Sequence, residues 1–213
     1  MELLDIKTRP HRFLKPVRST NIPKMSYEKI ESGYYYHIFN QGNNQENLLK
    51  EKMNYAYFLR LLEKHIVPVA DIFSYCLLKN HFHILIRTKE LKEERLCSKA
   101  ISNVCNAYAK AINKRYDRTG SLFRDRFKRI RVLDEQYLRQ LIVYINLNPV
   151  YHGFTDNIYS YQYSSLNVLF SKRKTVLNRQ EVWELFDNRE NFQYCIEMKK
   201  LQFDEKMNVL LLE

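Results

Sequence analysis

The chain has 213 residues, 45% of them hydrophobic, and 35 Lys and Arg against 24 Asp and Glu, a formal net charge of +11. That length and apolar content can supply a real core, as in a globular protein, and the basic excess favours a polyanionic partner. No segment approaches the roughly 18 consecutive apolar residues of a membrane-spanning helix, and the stretch MELLDIKTRPHRF lacks the apolar run of a signal peptide, so a cytoplasmic protein with nucleic acid as partner is expected.

Residues 1–26 carry Lys7, Arg9, Arg12, Lys15, Arg18 and Lys24 without periodicity and read as a basic arm, either a DNA clamp or a solubilising segment. GYYYHIFNQG (33–42) reads as a strand ending in a turn-forming Asn/Gly cluster, followed by an amphipathic helix over 46–65. ADIFSYCLLK and HFHILIRT form two strands joined around Lys79-Asn80, and a second helix spans about 94–115. RDRFKRIRVLD (124–134) is a basic turn feeding a strand, and 135–148 is a helix that Pro149 brings to a close.

The order strand, helix, strand, strand, helix, strand is the split βαβ, ferredoxin-like α+β arrangement, four antiparallel strands with two helices on one face, followed by an added helix. A main domain over 27–170 and a helical extension over 171–213 are expected, the latter offering Val182, Leu185, Phe186 and Tyr194 for packing. Cys76, Cys97, Cys105 and Cys195 form no C-x-x-C pair and read as reduced, buried thiols. The 16 Tyr and 12 Phe suit either a large core or stacking on unpaired bases.

Within HFHILIRT, strand alternation places His81, His83 and Leu85 on one face and Phe82, Ile84 and Ile86 on the other. The two histidines then stand roughly 7 Å apart at the backbone, close enough to hold one ion, with Mn²⁺, Mg²⁺ or Zn²⁺ suited to two imidazoles and an oxygen. Ordinary hydrogen-bonded surface histidines are the competing reading. On the helix over 135–148, Leu138, Leu141, Ile142 and Ile145 form an apolar stripe, with Tyr137, Tyr144 and Asn148 along its edge. Tyr144 and Asn148 are one turn apart, so an Asn148 oxygen can join the histidines beneath the Tyr144 phenol; packing tyrosines and a helix-terminating Asn are the alternative.

The motifs NHFHIL, GSLFRDRFK and YINLNPVYHGF, in order over about 33–168, resemble the single-tyrosine HUH (IS200-like) transposases, especially the REP-associated tyrosine transposases. The resemblance implies a ferredoxin-like nuclease that cuts single-stranded or hairpin DNA with one tyrosine and a divalent metal, Mg²⁺ or Mn²⁺, acting as a monomer or homodimer. It implies Tyr144 as nucleophile, with Tyr137 a weaker candidate, and His81, His83 and Asn148 as metal ligands, Asn148 standing where other members have Gln. Arg118, Arg124, Arg126, Lys128, Arg129 and Arg131 form a cationic segment able to follow phosphates, and Phe127 is either core or a base-stacking platform. A DNA-binding regulator on the same scaffold without activity, and a phosphodiesterase that uses water, are the rival readings.

Overall fold

The computed structural model describes residues 29–93 and 95–210, so the basic arm of residues 1–26 lies outside the described residues. Four strands, β1 (Tyr35–Gln41), β2 (Ala70–Leu77), β3 (His81–Thr88) and β4 (Lys128–Arg131), form one sheet in the order β2-β3-β1-β4, every pair antiparallel. This is the ferredoxin-like order expected from the sequence. The tight β2–β3 turn closes where Leu78 N–H donates to the His81 carbonyl at 2.9 Å.

Helices α1 (Lys52–His65) and α2 (Arg95–Arg115) cover one face. There Leu62, Ile66, Ile101, Val104 and Cys105 meet Ile38 of β1 and Phe82, Ile84 and Ile86 of β3, the last three as strand alternation expects. Each such side chain contributes about 1.5–3 kcal/mol on burial, so this layer dominates the stability of the sheet. Helix α1 starts at Lys52 rather than near residue 46. A reciprocal capping box between Glu51 and Asn54 sets its first turn, while Leu48 and Leu49 enter the core from non-helical chain.

The opposite face carries α3 (Glu135–Tyr151). Pro149 lies inside this helix instead of ending it. A proline forfeits one backbone hydrogen bond, and in the last turn the helix continues for two residues until Gly153 adopts φ +65°, a conformation that favours glycine. The final carbonyls are satisfied by His152 N–H to Asn148 O (3.1 Å) and Phe154 N–H to Pro149 O (2.8 Å).

The outer edge of β2 is covered by the Tyr/Ser-rich stretch and the chain that follows it. Leu77 N–H donates to Tyr163 O, Ser165 N–H to Tyr75 O and Asn178 N–H to Ile72 O, so β2 offers no open ladder to another chain. Three short or terminal helices complete the described chain: α4 (Leu166–Phe170), α5 (Arg179–Glu184) and α6 (Arg189–Leu210). The helical segment expected from Asn178 therefore exists in two pieces. Val182 and Phe186 are buried, but Tyr194 is 63% exposed on α6, not packed. Cys195 is likewise exposed, whereas Cys76, Cys97 and Cys105 are buried, their thiol pKa values pushed up by burial. No described helix is long and apolar enough to cross a membrane.

Candidate active site

Two devices aim α3 at the sheet. The pairing Ile72↔Ile86 followed by Ser74↔Leu85 shows a bulge at Phe73, which returns Ser74 and Cys76 to the face shared by His83 and Leu85. Ser74 then joins a buried polar knot: Asn146 Nδ2 donates to Ser74 Oγ (3.0 Å), Ser165 Oγ donates to Asn146 Oδ1 (2.8 Å), and the two hydroxyls lie 3.0 Å apart. Asn146 stands two residues from both Tyr144 and Asn148, so the knot fixes the helical rotation that presents them. At the start of α3 the Asp134 carboxylate accepts from Tyr137 N–H at 2.7 Å.

Tyr144 and Asn148 thereby meet the two histidines. The Tyr144 ring lies 5.8 Å from that of His83, nearly perpendicular to it, and Asn148 Oδ1 is 3.2 Å from His81 Nε2. The His81 and His83 rings are 5.2 Å apart at 88°. Tyr137 makes no ring contact with the histidines among the described residues. Half-buried Tyr144 has its pKa raised by burial, with the Asn148 amide acting in the opposite sense.

Two further histidines belong to this cluster and were not singled out from the sequence. His37 of β1 is buried, and its Nε2 is 2.9 Å from His83 Nδ1. His152, in the cap position just past Pro149, stacks edge-on against His81 at 4.7 Å. The sequence reads GYYYHIFNQG as a strand, which carries His37. What it lacked was the register that lays β1 beside β3.

His81 bears on whether a cation fits. Its Nδ1 faces Asn80 Oδ1 at 2.8 Å while Nε2 faces Asn148 Oδ1, so both ring nitrogens point at oxygen acceptors. Burial, reinforced by nearby His152, pushes the His81 pKa down to about 4, so near neutral pH it has a single N–H to give. If Nδ1–H donates to Asn80, two lone pairs oppose each other at Nε2 and the Asn148 oxygen. A cation there, or a half-turn of the amide, removes the opposition. Asn80 meanwhile orients His81 as an outer partner orients a metal-bound imidazole. Asn148 Nδ2 is buried with no hydrogen bond of good geometry among the described residues, the Tyr144 phenol being the group that its amide acts on. Among the described residues no three His, Cys, Asp or Glu side chains are placed to hold one ion together, so the candidate site pairs two imidazoles with the Asn148 oxygen.

The cationic segment divides. Arg124, Arg126 and Lys128 are exposed around the start of β4. Arg118 is paired with Glu46, Arg131 with Glu31 at 2.9 Å, and Arg129 donates to Ser98 Oγ and lies over the Phe127 ring. Phe127 is 6% exposed and part of the core.

No protein-family model matches the chain, and no curated protein matches it at the sequence level. Among solved structures it is similar to a REP-associated tyrosine transposase bound to a REP hairpin, at 16% identity and a TM-score of 0.57. The match covers 73% of this chain and 90% of that one. At this identity the likeness establishes the fold.

Proposed function

We propose that the chain is a metal-dependent endonuclease and strand transferase for single-stranded, hairpin-containing DNA, a transposase of the REP-associated tyrosine type. The observation that carries this reading is the meeting of Tyr144 and Asn148 from α3 with His81 and His83 from β3, across some sixty residues of chain. The fold neighbour, which binds a REP hairpin, supports the choice of substrate.

His81, His83 and Asn148 would hold the divalent ion, Mg²⁺ or Mn²⁺. Its charge would offset that of the non-bridging phosphate oxygens as the transition state develops. Tyr144 Oη attacks phosphorus in line. The Oη–P bond forms as the P–O3′ bond breaks, the phenol proton leaves, and the departing 3′ oxygen takes up a proton. Burial raises the pKa of the Tyr144 phenol, so attack calls for an acceptor to take its proton. A phosphoester persists in the 5′-phosphotyrosine, so a 3′-hydroxyl can reverse the step at a new junction without ATP.

The test is incubation of the protein with hairpin oligonucleotides and Mn²⁺ or Mg²⁺, followed by denaturing gels. Cleavage with a covalent protein–DNA adduct is expected, and Tyr144→Phe should abolish both. Cleavage without an adduct would point to water as nucleophile. Binding with no cleavage would point to a regulator on the same scaffold.

A further inference from the structure

The row of side chains that holds His83 continues beyond α3. Register places His83, Phe39 and Lys128 side by side on β3, β1 and β4, so Lys128 stands about 10 Å from His83, twice the strand spacing. Phe39 is only partly buried and lies outside the hydrophobic core cluster. Its ring instead meets His37 at 4.8 Å and His83 at 5.8 Å, within 30° of both imidazole planes. Lys128 is exposed and makes no ion pair among the described residues. The next pair along, His37 opposite Ile130, leaves Ile130 38% exposed, and Leu133 beyond it is 83% exposed.

We propose that Phe39 and Lys128 form a subsite for one nucleotide of the single strand beside the reacting phosphate, its base stacked on Phe39 and its phosphate held by Lys128. The inference rests on the functional reading above. Base stacking needs an accessible aromatic ring, and Phe39 is partly exposed beside the rings of the histidine cluster. Every base has a π-face, so the contact selects an unpaired nucleotide at this position without selecting its identity. Lysine suits the neighbouring phosphate as a compact charge that needs no fixed fork geometry. Phe127, the aromatic that the sequence put forward for stacking, is buried and cannot serve.

The test uses fluorescence anisotropy with the full chain carrying Tyr144→Phe, on a single-stranded hairpin oligonucleotide in which each nucleotide is made abasic in turn. One abasic position should weaken binding clearly. Phe39→Leu should weaken the intact strand by about 5- to 150-fold and make that same position insensitive, while Phe39→Trp keeps the sensitivity. An abasic profile identical in the Phe39→Leu and parent proteins overturns the subsite. If Phe39→Leu does not fold, 2-aminopurine placed at each position reads the same contact in the parent. A change of emission at one position, altered by Lys128→Ala, supports the proposal, and a uniform signal along the strand overturns it. The two readings fail differently: abasic coupling at Phe39 without a Tyr144 adduct removes the nuclease and leaves the subsite, whereas absence of single-strand binding removes both.

Discussion

His81 shows how burial sets chemistry at a single residue. A histidine held neutral in the native state, with a pKa near 4 against an ordinary value of 6.5, binds fewer protons folded than unfolded. Stability is therefore fully present above about pH 6.5 and declines as pH falls from there towards 4, by a total of the order of 3 kcal/mol. Urea denaturation of the metal-free protein between pH 7.5 and 4 should show this decline, and His81→Gln should flatten it. His37 bears on His83, one of the proposed ligands, through tautomer choice. When His83 Nδ1–H donates to His37 Nε2, His83 Nε2 keeps its lone pair for a metal; with the bond reversed, that nitrogen carries the proton. His37→Leu is expected to weaken Mn²⁺ binding 10- to 100-fold by calorimetry, and His37→Gln, whose oxygen accepts the same bond, to retain most of it. Equal losses in both variants would reduce His37 to a packing residue. His81 and His83 were legible in the sequence because alternation alone puts them together. His37 and His152 were not, since the first needs the β1–β3 register and the second depends on what happens at Pro149.

At the scale of elements, the site depends on how α3 docks. The Asn146, Ser74 and Ser165 knot is wholly buried, and without Asn146 the two hydroxyls keep each other but one hydroxyl proton loses its acceptor. Asn146→Leu should cost about 1–3 kcal/mol for that unsatisfied hydroxyl and lower the adduct yield at Tyr144 even below the unfolding temperature. Circular dichroism melts and gel assays on one preparation check both. Unchanged adduct formation would show that the apolar stripe of Leu138, Leu141, Ile142 and Ile145 suffices to set the rotation of α3. That stripe, and the one-turn relation of Tyr144 to Asn148, could be read from helical spacing. The bulge at Phe73 could not, because plain alternation from Asp71 sends Ser74 to the wrong face. Nor could the turn beyond Pro149, since a proline in a last turn sacrifices too little to stop a helix that Gly153 is ready to end.

For the molecule as a whole, composition pointed to a polyanion, and the structure sorts which charges face outward. Arg124 and Arg126 are exposed, Arg124 with the equally exposed Asp125 at 3.9 Å, whereas the partly buried Arg118 and Arg131 are held by Glu46 and Glu31. Replacing Arg124 and Arg126 together by alanine should flatten the plot of log affinity for single strands against log salt by about 1–1.5. Arg118→Ala should leave that slope unchanged and instead destabilise the fold, because Glu46 loses a partly buried partner. Titrations in KCl and thermal melts separate these outcomes. A charge count cannot make this division, since it depends on which carboxylates the fold brings alongside.

The strand order β2-β3-β1-β4 has a further consequence. His81 and His83 ride on a central strand whose amides are laddered on both sides, and His37 on the other central strand, while Tyr144 rides on a helix docked from outside the sheet. In hydrogen exchange the site should therefore split into a slow half and a faster one, the β1 and β3 amides opening only with global unfolding and those of α3 through a smaller excursion. The proposed nucleophile would then be able to leave and return while the imidazoles opposite it hold still.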